Sequence, residues 1–406
     1  MWDAKMPIHE IREIRAKTTV YLGVGAIAKI DDIVGDLKGK GIEKVLCVTG
    51  RGSYKKTGAW DHVTAAFEKH GVEHVLFDKI RPNPEADDVD AAAKMGRDFG
   101  AQAVVAIGGG SPIDAGKSAA ILMEYKDQDA RSLYEFKFTP EKAAPIVAIN
   151  LTHGTGTEAD RFAVVTIPEK EYKPAIAYDC IYPAYAIDDP ALMTGLSAAQ
   201  TRFTAIDAIN HVTEAATTKV ATPYTVLLAK EVVRLVAKYL PQALQNPDDL
   251  TARYYLLYAS LIAGICFDNG LLHFTHALEH PLSGVKPDLA HGLGLAMILP
   301  AVLRQIYVAQ PEVLAELYAP IVSDLKGIPA EADMMARKVE RWLYDMGVTS
   351  KLSDEGYTDA DIPKLVKLTQ TTPSLDGLLS MAPVPAGADV IERIYRDSMN
   401  PYVCCC

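Results

Sequence analysis

The chain has 406 residues, 49% hydrophobic and 23% charged, the composition of an ordinary globular protein long enough for two domains. Its net charge of −11 argues against nucleic acid or an anionic membrane surface as partner, since both would repel it, and leaves a small molecule as the expected ligand. The charged N-terminal stretch MWDAKMPIHEIREIRAKTT lacks the apolar run of a signal peptide, and no segment reaches the ~18 uninterrupted apolar residues of a membrane span.

Cys47, Cys180 and Cys266 stand apart, Cys404, Cys405 and Cys406 end the chain together, and no CxxC spacing occurs. Neither a disulfide framework nor a zinc ribbon is expected, and the compartment implied is a reducing cytoplasm.

From about Thr18 to Asp189, short β-branched runs alternate with amphipathic helices, the pattern of a parallel sheet covered on both faces. Strands are predicted at 44–49 (KVLCVT), 74–78 (HVLFD), 103–107 (AVVAI) and 145–150 (PIVAIN), with helices at 61–70 and 87–99. The second of these helices opens on acidic residues, as a helix N-terminus favours. Residues 162–167 and 175–178 read as a hairpin around the charged turn PEKEYK.

Past Pro190 the texture becomes helical. Ser197 with Gln200 forms a capping-box pattern, and further helices are predicted at 223–240, 250–267, 289–307, 312–322 and 331–345. No internal repeat or low-complexity linker appears. The expected organisation is an α/β unit over residues 1–190 and an all-α unit over 191–406, packed around a ligand cleft.

At 103–120 the chain reads AVVAIGGGSPIDAGKSAA, a buried strand running through three glycines into a helix. Glycines admit an anion close to the backbone, and the helix N-terminus offers free N–H groups, so a pyrophosphate fits here. Two familiar phosphate motifs are near misses. Gly116-Lys117-Ser118 has Ser111 where a Walker loop needs glycine, and a GxGxxG spacing fails at Ile113. A second small-residue loop, THGTGTE at 152–158, follows the strand at 145–150, on the side where open α/β sheets bind ligands.

The rear half concentrates imidazoles. His273, His276, His280 and His291 fall within nineteen residues, and His211 follows Asp207 at the i, i+4 spacing that puts both on one helix face. A single interior histidine is more often a hydrogen-bonded core residue than a ligand. Several imidazoles and a carboxylate in one region point instead to a divalent transition metal, Fe(II) or Zn(II).

Taken together, Gly23-Val-Gly25, GGGSPID, THGTGTE, the Asp-x-x-x-His pair and the HALEHPLSG/AHG cluster resemble the iron-dependent (group III) alcohol dehydrogenase family along nearly the whole chain. The resemblance implies an N-terminal Rossmann-like dinucleotide-binding domain and an all-α C-terminal metal-binding domain, the dehydroquinate synthase-like architecture, with a nicotinamide coenzyme between them. It makes Asp207, His211, His276 and His291 the metal ligands and leaves His280 beside the metal as a proton-relay residue. It also assigns Gly108, Gly109, Gly110, Ser111 and Asp114 to the coenzyme pyrophosphate and nicotinamide ribose. Thr152, Thr155, Lys173 and Leu192 complete the coenzyme site, and Phe267 lines the substrate pocket.

Three positions depart from the family pattern. Where relatives that prefer NAD end the second strand with aspartate, this chain has Gly50, followed by Arg51, Ser53 and Lys56. The missing carboxylate removes a repulsion for a 2′-phosphate and favours NADP(H) over NAD(H), as in the butanol dehydrogenase and aldehyde reductase branch. Ala205 replaces a common glycine, and Arg161 stands near the pocket where relatives carry a smaller polar residue.

The activity implied is hydride transfer between NAD(P)H and a short-chain aldehyde or primary alcohol, in a homodimer or larger homo-oligomer. Three neutral imidazoles and one carboxylate would leave a divalent cation with net positive charge and an open position, suited to polarising a carbonyl oxygen. Proton delivery could run through His280 or the coenzyme ribose. Polyol dehydrogenases, hydroxyacid–oxoacid transhydrogenases and dehydroquinate-type synthases share the fold, and a non-catalytic metal or nucleotide sensor would keep both loops.

Overall fold

The computed structural model describes residues 2–6 and 9–402; the terminal cysteine run at 404–406 lies outside the described residues. The front half is built on a six-stranded sheet of Thr19–Leu22 (β1), Lys44–Gly50 (β2), Glu73–Ile80 (β3), Ala103–Gly108 (β4), Ile146–Asn150 (β5) and, after the hairpin pair Phe162–Val164 (β6) and Ala175–Ala177 (β7), Tyr185–Asp188 (β8). The strand order is β1-β8-β5-β4-β2-β3, with every pairing parallel.

Strands β4 and β5 are buried at every residue, which is why they read as continuous apolar runs. In β2 the side chains alternate between two cores. Val45 and Cys47 meet Ile33, Val34 and Phe67, whereas Leu46 and Val48 meet Val89, Ala92 and Leu122.

The register of this sheet positions the loops. Gly108 pairs with Asn150 at the ends of β4 and β5, and Asn150 pairs with Asp188 at the end of β8. The triple-glycine loop, the THGTGTE loop and the segment from Asp188 therefore leave the same edge side by side. Gly50 ends β2 next to β4, so the Arg51–Lys56 turn joins that edge. The edge is formed by strand C-termini, where doubly wound sheets bind nucleotides.

The rear half is helical around a large apolar core. Its principal helices are Ala198–Ala215, Pro223–Gln245, Leu250–Gly270, Phe274–Val285 and His291–Tyr307. Among the described residues one helix, Leu250–Gly270, has the length and mean hydropathy to cross a membrane, but it is packed inside this core and carries the fully buried Arg253.

The predicted strands and the hairpin are present, with boundaries shifted by a few residues. Several parts of the fold had escaped the sequence reading, among them strands β1 and β8, the helix Ile30–Gly39, the helix Phe274–Val285, and the short helices Ile362–Thr371, Leu375–Ser380 and Ala388–Asp397. The helix expected from 289 begins at His291, because Ala290 is still extended. Only half of the capping box forms: Gln200 N donates to Ser197 Oγ at 3.1 Å, while the Gln200 carboxamide faces that same hydroxyl.

Candidate active site

The metal-binding candidates converge. On the helix Ala198–Ala215, Asp207 Oδ1 lies 3.5 Å from His211 Nε2, and His276 Nε2 from the neighbouring helix lies 3.5 Å from the same oxygen. Asp207, His276 and His291 each offer a ligand atom within 4.8 Å of the others. The His211 and His276 rings stack with centroids 4.5 Å apart. Asp207 Oδ1 and His276 Nε2 are buried and have no hydrogen-bond partner. A carboxylate oxygen and imidazole nitrogens gathered without hydrogen bonds in a dry interior are costly unless a positive charge joins them, a proton on His276 or a metal ion, and the donor set of one carboxylate and imidazoles fits a divalent metal.

Hydrogen bonds on the far side of each ring set its orientation. His276 Nδ1 donates to Glu214 Oε1 at 2.7 Å, and His211 Nδ1 donates to the Gly154 carbonyl at 3.2 Å, leaving both Nε2 atoms turned toward Asp207. His291 Nδ1 is hydrogen-bonded to Glu279. Such outer partners fix the tautomer of a ligating histidine.

The charges follow from these contacts. Burial opposes charge on His276, but Glu214 and Asp207 overcome it and raise the ring to about 9. Burial likewise opposes ionisation of Glu214, yet His276 and His273 bring it down to about 2. His211 is depressed to about 4, chiefly by burial.

His273, although close in sequence, turns away from this centre. Phe274 N donates to its Nδ1 at 2.7 Å and its Nε2 faces Thr217 Oγ1 at 2.9 Å, so it caps a helix. His280 is buried with an unpartnered Nδ1, its ring centroid 5.7 Å from that of His291.

The triple-glycine loop and the THGTGTE loop touch. A Cβ added to Gly109 would come within 2.8 Å of Thr152 Oγ1, and one on Gly110 within 2.9 Å of Thr155 Cγ2. Gly108 has φ +157°, a conformation that glycine tolerates best. The hydroxyls of Thr152 and Thr155 are buried without partners beside the start of the helix Gly110–Glu124. This cradle of glycines, free hydroxyls and helix N–H groups fits a phosphate. Ser111 lies in the first turn of that helix, and Leu192 joins the core beneath the sheet edge with Ile107 and Ile187. Arg51, Ser53 and Lys56 are exposed beyond Gly50.

Asp114 and Lys173, both expected at the coenzyme, make their hydrogen bonds within the chain. Both Asp114 oxygens are engaged within the chain, by Thr157 Oγ1 at 2.6 Å and Val164 N at 2.9 Å. Lys173 Nζ donates to Ser283 Oγ at 2.8 Å and stands against Glu279 and His291, beside the imidazole cluster. Lys117, from the rejected Walker-like triplet, is fully buried and donates to Thr157 Oγ1, to the Asp160 backbone and side chain, and to Phe162 O, so it pins the 157–162 segment.

Phe267 stacks on His211 with centroids 4.5 Å apart and packs on Phe162 at 5.4 Å. Arg161 is held by Asp179 at 3.0 Å and by buried Asp268 at 3.3 Å. Glu214 and Glu279 were missed by the sequence reading. Their signal lay in spacing: Glu214 is three residues after His211, and Glu279 sits between His276 and His280.

Two family models cover the chain: iron-containing alcohol dehydrogenase over residues 17–190, and the C-terminal region of the Fe-containing alcohol dehydrogenase family over 201–399. The chain belongs to the iron-containing alcohol dehydrogenase family, enzymes that interconvert alcohols and aldehydes with NAD(P)(H). It is 64% identical to the long-chain primary alcohol dehydrogenase of Thermoanaerobacter ethanolicus, over 98% of this chain and 100% of that enzyme. It is 33% identical to the 1,3-propanediol dehydrogenase of Klebsiella pneumoniae, over 93% of this chain and 96% of that one. Among solved structures, the NADH-dependent butanol dehydrogenase A of Thermotoga maritima superposes with a TM-score of 0.88 at 27% identity, covering 96% of this chain and 99% of that one. The chain is therefore an alcohol dehydrogenase of this family, as the motifs implied.

Proposed function

We propose that this enzyme reduces unbranched aldehydes to primary alcohols, and the reverse, with NADP(H) preferred over NAD(H). Residues 1–190 carry the coenzyme, and residues 191–406 hold one divalent cation, Fe(II) or Zn(II), through Asp207, His211, His276 and His291. The observation that carries this reading is the convergence of unpartnered Asp207 Oδ1 and His276 Nε2 on the side of the cleft where His211 is bonded to the coenzyme loop.

A divalent cation held there would supply Lewis acidity toward the substrate oxygen. Phe162 and Phe267 keep water from the reacting carbon, and His280, with its open Nδ1, passes the proton. Gly108, Gly109, Gly110, Ser111, Thr152 and Thr155 receive the pyrophosphate. Asp114 and Lys117 hold the adjoining segment in place, and Lys173 and Leu192 flank the nicotinamide end. Gly50 with Arg51, Ser53 and Lys56 accepts the 2′-phosphate.

The aromatic wall favours a weakly polar substrate over a polyol. Because two carboxylates already occupy Arg161, it offers no free cation to a hydroxyacid. The absence of disulfides at Cys47, Cys180 and Cys266 suits a reducing cytoplasm, and Ile11, fully exposed on the N-terminal arm, suits burial in a homo-oligomer.

The test is metal analysis of the purified protein together with NADPH and NADH oxidation over aldehydes from butanal upward, with glycerol oxidation as the contrast. Turnover of the aldehydes and loss of it in Asp207→Asn and His276→Ala, with circular dichroism unchanged, is expected. A fully active Asp207→Asn variant, or glycerol as the better substrate, would overturn the reading.

A further inference from the structure

We infer that Glu279 is a positioning residue that aligns His291 on the metal and ties it to Lys173. The inference rests on the proposed role of His291 as a ligand. Glu279 is fully buried on the helix Phe274–Val285, and its Oε2 accepts from His291 Nδ1, which leaves the other ring nitrogen for the cation.

The same Oε2 lies 3.5 Å from Lys173 Nζ, itself fixed by Ser283 Oγ at 2.8 Å. The carboxylate is accommodated by a glycine one turn beyond His291: a Cβ on Gly294 would come within 2.9 Å of Glu279 Oε1 and 2.8 Å of its Cγ. One side chain thus links two helices and the Lys173 segment around a single imidazole.

Glu279, His280 and His291 also bring ligand atoms within 4.8 Å of one another, which raises the alternative of a second cation held by Glu279 directly. The ammonium of Lys173 beside Oε2 argues against it, because a divalent ion there would face a like charge. A carboxylate that orients a ligating histidine typically changes metal affinity by about 10–100-fold when removed.

The full-length chain is stripped with a chelator and titrated with Co(II) against a chromophoric competitor, without substrate or coenzyme. The wild type should bind one Co(II) per chain. Glu279→Gln, which keeps the shape but not the charge, should bind about tenfold more weakly, and Glu279→Ala nearer 100-fold. Thermal midpoints of the stripped proteins separate this effect from a loss of fold. Glu279→Gln should keep the wild-type midpoint; if that midpoint fell, weaker binding would count against a positioning role. Undiminished Co(II) affinity in Glu279→Gln, or two Co(II) per wild-type chain, would overturn the inference while leaving the site reading in place. A wild-type chain that takes up no Co(II) would remove both.

Discussion

His211 Nδ1 lies 3.2 Å from the carbonyl oxygen of Gly154. A metal-ligand candidate is thereby bonded to the loop proposed to receive the coenzyme phosphates, so anything that orders one orders the other. Coupling of this kind is reciprocal.

Removal of the metal should therefore weaken dinucleotide binding by at least about fivefold, and NADPH should slow metal loss to a chelator by a comparable factor. Fluorescence titration of NADPH into stripped and reloaded protein measures the first effect. Equal affinities would mean that the two sites are independent.

Gly110→Ala should weaken NADPH binding about tenfold, because the new methyl group meets Thr155 Cγ2 and closes the cradle. Adding Thr155→Ser, which removes that carbon and keeps the hydroxyl, should restore much of the affinity. Isothermal calorimetry on the single and double variants makes the comparison.

Coenzyme choice should turn on the end of β2. Gly50→Asp places a carboxylate beside a 2′-phosphate and should lower kcat/KM for NADPH by about tenfold or more while sparing NADH. The position accepts a side chain at modest strain, since a Cβ would stand 3.2 Å from Ile80 O. Unchanged ratios of the two coenzymes would place the adenosine ribose elsewhere.

Glu214 also serves the fold. It accepts from the backbone N–H groups of His273 and His276 as well as from the His276 ring, so it caps the helix Phe274–Val285 from the side. Glu214→Gln leaves buried donors poorly matched and should cost about 3 kcal/mol in urea unfolding of the stripped protein.

Acid should destabilise the THGTGTE loop through His153. Burial, then the charge of Arg253, pushes this ring down to about 3, and Arg253 Nη1 donates to its Nε2 at 3.1 Å. Between pH 6.5 and 3 the unfolded chain takes up a proton there that the folded chain refuses, so stability falls as pH drops through that window and is unaffected above it. The wild type should lose about 3 kcal/mol by pH 4 from this residue, and His153→Gln should have the shallower acid limb. Unfolding midpoints at pH 7, 5 and 4 show whether the limbs differ.

Much of this was legible in the residues themselves. β4 and β5 announced their burial by uninterrupted apolar runs, and Asp207 with His211 declared a shared face by spacing alone. β1 and β8 did not, because four residues such as TVYL or YAID carry too little periodicity, and their strand character comes from pairing, β1 with β8 and β8 with both β1 and β5. The cluster of imidazoles was visible, but its division was not. His273 and His276 differ by three residues, and only the start of the helix at Phe274, with His273 outside it as its N-cap and His276 within it, separates a cap from a ligand candidate. The partners Glu214 and Glu279 read as ordinary helix acids until the packing buried them.

Gly264 on the helix Leu250–Gly270 and Gly156 in the THGTGTE loop meet backbone to backbone, and a Cβ on either would come within 2.5 Å of the other. Recombining the front of this enzyme with the rear of a relative would succeed only where both partners in that contact arrive as glycine. The two halves have to be exchanged as a matched set, however independent their sequences look.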